Sequence, residues 1–262
     1  MSEGAPELAA VLIARDEQDC LPAALASVDF ADEVIVLVDA ATTDRTAAIA
    51  RAAGARVDLR PFDGFGRAKN AAAALARARW VLSLDADEVV SPALALEIRA
   101  RLREIARLRR PPAAFRVPIR LEFLGRTLRF GRDTVVRPVR LFDRARARFS
   151  ENLLHERVVA DGPVDALDET ILHRSYRDLA HYLEKLDRQT TLAAEARAGE
   201  RPLGKLLPLR VAWEFLDRAF LRLGFLDGSA GLTWAALSSA DALLKHLKLA
   251  ERRQGNRQEP RP

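Results

Sequence analysis

"WVLSLDADEVVSP", residues 80–92, decides how the rest of the chain is read. A short apolar run ends in Asp85, Asp87 and Glu88. Such a run, bounded by polar residues, reads as a strand buried on both faces. Three carboxylates at its exit are either an ordinary polar strand end or the place where a cation gathers. Residues two apart on an extended segment share a side. Asp85 and Asp87 are therefore expected to face together, with Glu88 turned away.

Outward from this strand, apolar runs alternate with helical patterns. Strands are expected at 8–15, 33–39, 55–61 and 80–87. Helices are expected at 17–28, 42–54, 64–78 and 92–106, the last opening on Pro92 in its first turn. This alternation predicts an α/β fold with a mostly parallel sheet and helices on both faces. After Pro111–Pro112 the pattern changes to shorter strands around 113–125, 137–144, 155–163 and 168–174. From Asp178 to about Gln254 it becomes helical. The expected layout is a flexible N-terminus at 1–7 and a catalytic domain at 8–176, with halves at 8–110 and 111–176. A helical C-terminal region at 177–254 and a disordered tail at 255–262 complete it.

Composition narrows the classes. Apolar residues make up 49% of the 262, enough for a sizeable core. Cys20 is the only cysteine, which excludes an internal disulfide and a thiolate metal cluster. The first seven residues lack a basic segment leading into an apolar one, so no secretory leader is expected. No stretch approaches the ~18 uninterrupted apolar residues of a membrane span. A cytoplasmic location is expected, with peripheral contact to a membrane left open. Between Arg99 and Arg148, sixteen Arg stand against four acids, a bias suited to phosphates, nucleic acid or an anionic surface. No recognised nucleic-acid module accompanies it.

In an open α/β sheet, ligands bind outside the carboxyl ends of the strands, near the switch point. Strand one ends at Arg15, Asp16 and Glu17, strand two at Asp39, and strand four at Asp85 and Asp87. With a strand order of 3-2-1-4, these acids converge. A dinucleotide fold would carry Gly-x-Gly-x-x-Gly after strand one. The turn there is "ARDEQDC" (14–20), without glycine; "GFGRAKN" (64–70) follows strand three and has the wrong context. A bound diphosphate would then need a divalent cation such as Mg²⁺ or Mn²⁺, held by a carboxylate pair and acting as a Lewis acid on the leaving group.

The segments "VLIARDEQDCLPAALASV" (11–28), "DEVIVLVDAATTDRTAAIARAAGARV" (32–57) and "GFGRAKNAAAALARARWVLSLDADE" (64–88) resemble a family-2 glycosyltransferase, whose fold is GT-A, a Rossmann-like nucleotide-sugar-binding sheet. "VRLFDRARARFSENLLHERVVADGPV" (139–164) and "FLDGSAGL" (225–232) resemble its bacterial lipopolysaccharide core β-glucosyltransferase subgroup. The resemblance implies a nucleotide site of Arg15, Glu17, Asp39, Asp44, Lys69 and Asp85, with Glu17 and Asp39 at uracil and ribose and Asp44 capping the next helix. It implies metal association by Asp85 and Asp87, with Asp87 the direct ligand, and by His155. Glu156 is the expected general base, with Asp133 in reserve; His155 ligates the metal or orients Glu156. The competing reading of Glu156 is a salt bridge to Arg157 or another Arg. His173 matches a histidine of relatives, and Arg140 is placed for phosphate. Asp16 stands where relatives usually carry Asn, and "GRDTVVRP" (131–138) departs from their pattern.

In the C-terminal half, "LPLRVAWEFLDRAFLRLGFL" (207–226) is apolar apart from a narrow polar stripe. Such a helix either packs against a partner or lies in a membrane interface, where Lys245, Lys248, Arg252 and Arg253 would meet anionic headgroups. The implied activity is inverting transfer of a sugar, glucose in the subgroup, from a UDP-sugar to a lipid-linked glycan of the lipopolysaccharide inner core or envelope. Two alternatives stay open: a sugar-phosphate nucleotidyltransferase, and a catalytically silent fold that binds membrane.

Overall fold

The computed structural model describes residues 6–123, 125–150, 156–176, 178–197 and 204–258. His155, the outer part of the expected flexible N-terminus (1–5) and the end of the expected tail (259–262) lie outside them. In chain order the first elements are β1 (Leu8–Ala14), α1 (Leu21–Ala26), β2 (Glu33–Asp39), α2 (Thr46–Ala52), β3 (Arg56–Arg60), α3 (Phe65–Leu75), β4 (Trp80–Asp85), β5 (Glu88–Val90) and α4 (Pro92–Ile105). There follow β6 (Ala114–Arg116), β7 (Ile119–Phe123), β8 (Arg126–Thr127), β9 (Val135–Val136), β10 (Val139–Asp143), β11 (Ala147–Phe149), β12 (Val158–Ala160), β13 (Val164–Ala166) and β14 (Ile171–His173). The helices α5 (Leu179–Ala196), α6 (Leu207–Leu216) and α7 (Gly228–Gln258) close the chain. Two compact units result: Met1–Arg120 with Val136–Arg174, and Leu121–Val135 with Ser175–Pro262.

The first unit is built on a seven-stranded sheet of order β13-β6-β10-β4-β1-β2-β3. β1 pairs in parallel with β2 and β4, and β2 with β3, which gives the expected 3-2-1-4 arrangement. β10 runs antiparallel between β4 and β6, so the sheet is mixed. Side chains alternate across β1. Leu8, Ala10 and Leu12 join Leu21 of α1 and Leu94, Ile98 and Leu102 of α4 on one face. Ala9 and Val11 meet Ala68, Ala72 and Ala73 of α3 on the other. Both faces are covered, as the near-continuous apolar strands require, and each buried Leu or Ile contributes about 1.5–3 kcal/mol. α4 starts where Ser91 Oγ accepts the Leu94 N–H at 3.1 Å, a side-chain cap ahead of Pro92.

In the second unit, Leu121, Phe123 and Leu128 pack with Tyr182, Leu186 and Ala230, beside Tyr176 and Trp234. The "FLDGSAGL" segment is the joint of this unit. Asp227 Oδ2 accepts the N–H groups of Arg129 and Phe130, both at 2.8 Å. A Cβ on Gly231 would stand 2.0 Å from the Gly224 carbonyl oxygen, so only glycine lets these backbones meet. Of the basic residues expected to meet headgroups, Lys245 pairs with Asp241 at 2.5 Å, Lys248 with Asp187 at 2.7 Å and Arg252 with Glu195 at 2.5 Å. The last two tie α7 to α5. α7 continues to Gln258, past the expected helix end.

Candidate active site

The loops after β1 and β2 are stapled together by the residues that the sequence singled out. Asp16 takes a left-handed conformation, φ +52°, which Asp and Asn tolerate better than most residues. Its Oδ1 accepts the Thr43 N–H at 2.8 Å. The Glu17 N–H donates to Thr46 Oγ1 at 2.9 Å, and the Gln18 N–H to Asp44 Oδ2 at 3.0 Å. Asp44 Oδ1 accepts the N–H of Thr46, the first residue of α2, at 2.8 Å. Burial opposes ionisation of Asp44, but donors from Thr46 and Gln18 outweigh it and hold the carboxyl below its usual range. Side chains thus shape this turn in place of glycines. Asp39 is buried at the end of β2; its Oδ1 accepts the Ala41 N–H at 3.0 Å. Asp39 Oδ2 lies 3.2 Å from the Arg15 guanidinium yet accepts no hydrogen bond.

At the end of β4 lies a network of buried charge. Lys69, on α3 and 4% exposed, donates to Glu156 Oε1 and pairs with Asp85 Oδ1, both at 2.9 Å. Arg140 donates to Asp85 Oδ2 at 2.9 Å and to Glu88 Oε1 at 2.5 Å. The Asp85 N–H donates to Glu88 Oε2 at 2.9 Å. Sheet topology explains how Arg140 gets there. β10 is antiparallel to β4, with Leu141 opposite Leu82, so its first residues lie toward the carboxyl end of β4.

These contacts correct the reading of "DADE". β4 ends at Asp85, and the chain turns through Ala86 and Asp87 before β5. Strand alternation stops there, so Asp85 and Asp87 take different partners. Asp85 engages Lys69 and Arg140, while Asp87 Oδ2 meets His173 Nε2 at 3.1 Å. Glu88, expected to turn away, is among the most buried carboxylates of the chain. His173 stands opposite Glu88 across the β5–β14 pair. Arg140, expected at a phosphate, is instead occupied by the two carboxylates. Among the described residues, no group of three or more His, Cys, Asp and Glu could hold a metal ion.

The charges sort themselves by environment. Burial works against ionised Asp85, but Arg140 and Lys69 overcome it and hold the carboxyl well below the usual range. Burial pushes Glu88 up to about 7; Arg140 opposes the rise and the neighbouring Asp85 charge adds to it. Two acids sharing one guanidinium do not ionise equally, and Asp85, with two cations, takes the charge. Burial would lower His173, yet its hydrogen bond to the Asp87 carboxylate and the charges of Asp87, Glu88 and Asp85 raise it.

α3 holds the network in place through residues that sequence reasoning passed over. Asn70 Nδ2 donates to the Phe149 carbonyl at 2.9 Å, and its Oδ1 accepts the Phe149 N–H at 2.8 Å. The side-chain amide thereby pairs with β11 as a strand would. A Cβ on Gly66 would lie 2.0 Å from the Ser150 carbonyl oxygen. That contact is the reason for a glycine in "GFGRAKN", which is a packing device. Gly66→Ala is expected to force α3 and the Ser150 backbone apart, at a cost of about 1–3 kcal/mol. Circular-dichroism melting of the variant, with turnover measured alongside, checks it. An unchanged melting temperature would contradict the close approach.

Of the expected site residues, the structure joins Lys69, Asp85 and Glu156 in one network and places Asp39 with Arg15. Glu17 and Asp44 enter through the loop staple. The partner of Glu156 is Lys69, where the competing reading had Arg157. Asp133 belongs to the second unit, where its Oδ2 lies 3.3 Å from Arg218. Glu88 and Asn70 were missed. The signal for Glu88 was the turn concealed in "DADE", and for Asn70 its position beside Lys69.

Residues 10–110 match the model for glycosyl transferase family 2. An uncharacterized glycosyltransferase of Rickettsia bellii is 26% identical over 261 residues, covering 94% of this chain and 86% of that protein. The lipopolysaccharide core biosynthesis glycosyltransferase LpsC of Rhizobium meliloti is 27% identical over 255 residues, covering 91% of this chain and 93% of its own. The crystal structure of S. aureus TarS 1-349 aligns with 95% of this chain and 92% of that one, at 14% identity and a TM-score of 0.44. The chain is a glycosyltransferase. Its residues 10–110 carry the family-2 domain.

Proposed function

We propose that this enzyme transfers a sugar, glucose in the first instance, from a UDP-sugar to a hydroxyl of a lipopolysaccharide inner-core or related envelope glycan, with inversion. The observation that carries the reading is Lys69, buried between Asp85 and Glu156 at the carboxyl end of β4. Asp39 Oδ2, buried and accepting no hydrogen bond, supplies an acceptor for the nucleotide's N–H or hydroxyl groups. The 27% identity to LpsC supports an acceptor of the lipopolysaccharide class.

Glu156 acts as the base. Lys69 fixes its Oε1, and Oε2 takes the proton of the acceptor hydroxyl as the new C–O bond forms at the anomeric carbon. The bond to the diphosphate breaks on the opposite face. Lys69 and Arg140 keep Asp85 ionised and fixed beside it. Asp133 is the reserve base. Asp87 offers a hard carboxylate oxygen to a divalent cation completed by diphosphate oxygens, while His173 holds its Oδ2. When bound, such an ion supplies Lewis-acid stabilisation of the leaving diphosphate.

A lipid-linked acceptor calls for a membrane-facing surface. Leu206, Leu209, Trp213, Leu216 and Phe220 recur at helical spacing, and each is 46–69% exposed. This apolar face of the second unit is our candidate for insertion at the lipid interface. Among the described residues no helix is long and apolar enough to cross a membrane. The test is UDP release from a panel of nucleotide sugars with Mg²⁺ or Mn²⁺, using truncated core glycan as acceptor. Release of pyrophosphate from a nucleoside triphosphate and sugar phosphate would instead identify a nucleotidyltransferase. Flotation with anionic liposomes tests the surface. Wild type is expected to float and Leu209→Glu/Trp213→Glu to stay behind.

A further inference from the structure

The second unit contains a cleft of about 530 Å³ that the transfer reading leaves unused. A smaller hollow of about 130 Å³ shares Arg218, Ser238 and Asp241 with its lining. The cleft has the volume of an ordinary small-molecule site.

Its chemistry has two halves. The cleft wall is cationic, with Arg132, Arg197, Arg210, Arg218 and Lys245 against Glu214 and Asp241. Glu214 is the hub of this wall. Its Oε1 accepts from Arg210 at 2.6 Å, while Arg132 and Arg218 approach its Oε2 to 3.6 and 3.7 Å. Asp133 and Asp217 also approach these guanidiniums, at 3.3–3.9 Å, and Lys245 pairs with Asp241, so the five cations of the wall face four carboxylates and leave a surplus of one positive charge. Arg218 Nε is buried and makes no hydrogen bond. The smaller hollow is aromatic, lined by Tyr176, Tyr182 and Trp234, with ring centroids 4.8–6.1 Å apart. The indole Nε1 of Trp234 is likewise buried without a hydrogen-bond partner.

We propose that these joined hollows bind a polyhydroxylated ring carrying an oxyanion, a sugar phosphate or a sugar acid. The aromatic rings suit the apolar face of the ring, and Trp234 Nε1 donates to one of its oxygens. The guanidiniums take the oxyanion through charge-assisted hydrogen bonds. Every residue invoked lies in the second unit, so this site goes beyond the transfer reading and does not rest on it.

The test is calorimetric titration of the full chain, without nucleotide sugar, using glucose 6-phosphate, glucuronate, glucose and inorganic phosphate. At least one charged sugar is expected to bind about ten-fold or more tightly than both glucose and inorganic phosphate. The two charged arms decide between phosphate and carboxylate. Trp234→Phe, which keeps the ring packing and removes the donor, should weaken that binding about five-fold. Arg210→Gln should weaken it about ten-fold. If Arg210→Gln lowers the melting temperature, Trp234→Phe carries the test alone. Binding of glucose as tight as that of the charged sugars would overturn the anionic half, and equal binding of inorganic phosphate the sugar half. No saturation by any probe, or binding indifferent to Trp234→Phe, would overturn the site. UDP release is measured separately, so loss of either reading leaves the other standing.

Discussion

Glu156→Gln is expected to lower kcat by about 10²–10⁴-fold, the usual contribution of a positioned general base. The substitution is isosteric, and the amide oxygen can still accept from Lys69, which retains Asp85 at 2.9 Å as its counter-charge. Folding should therefore survive, with a stability change within about 1 kcal/mol. KM for the nucleotide sugar should move little, because the base meets the acceptor hydroxyl. Turnover is read as UDP release, and folding by thermal melting of the same preparation. A variant that melts normally and turns over near the wild-type rate would remove Glu156 from the base role and bring Asp133 forward.

The parallel core was legible because its signals are local. β1, β2 and β4 are apolar runs too short for helices, whereas their order, 3-2-1-4, is a supposition that no local pattern fixes. The convergence of Asp39 and Asp85 on one end of the sheet followed from that order. What stayed hidden depended on contacts distant in sequence. Arg140 reaches Asp85 because β10 enters the sheet antiparallel, which no local pattern reveals. Glu88 was misjudged because strand periodicity was carried two residues past the point where the strand stops. Asn70 and Gly66 are set by β11 and Ser150, some 80 positions away (|i−j| = 79 for Asn70 and Phe149).

Asp85→Asn is expected to destabilise the protein by about 3–5 kcal/mol, the penalty for removing one partner from a buried ion network. Lys69 and Arg140 are both more than nine-tenths buried and would each lose a carboxylate at 2.9 Å. For a protein of this size the melting temperature should fall by about 6–20 °C. Glu88→Gln should cost far less. Burial already raises the Glu88 carboxyl to about 7, so a neutral side chain there replaces a group that ionises reluctantly. Asp85→Asn should also lower turnover, since Lys69 is then free to shift toward Glu156. Equal melting curves for wild type and Asp85→Asn would show that Asp85 is dispensable to the network. A larger loss in Glu88→Gln than in Asp85→Asn would reverse the assignment of which acid carries the charge.

The family domain stops at residue 110, yet β4 gains its outer neighbour only at 139–143. A fragment ending at the domain boundary would present the hydrogen-bonding edge of β4, along Trp80, Val81 and Leu82, to any other chain. It would also leave Asp85 and Glu88 without their guanidinium. An open apolar edge invites strand-to-strand association. The stretch that matches the family model therefore has its open side closed, and the charge at its centre neutralised, by the later half of the chain.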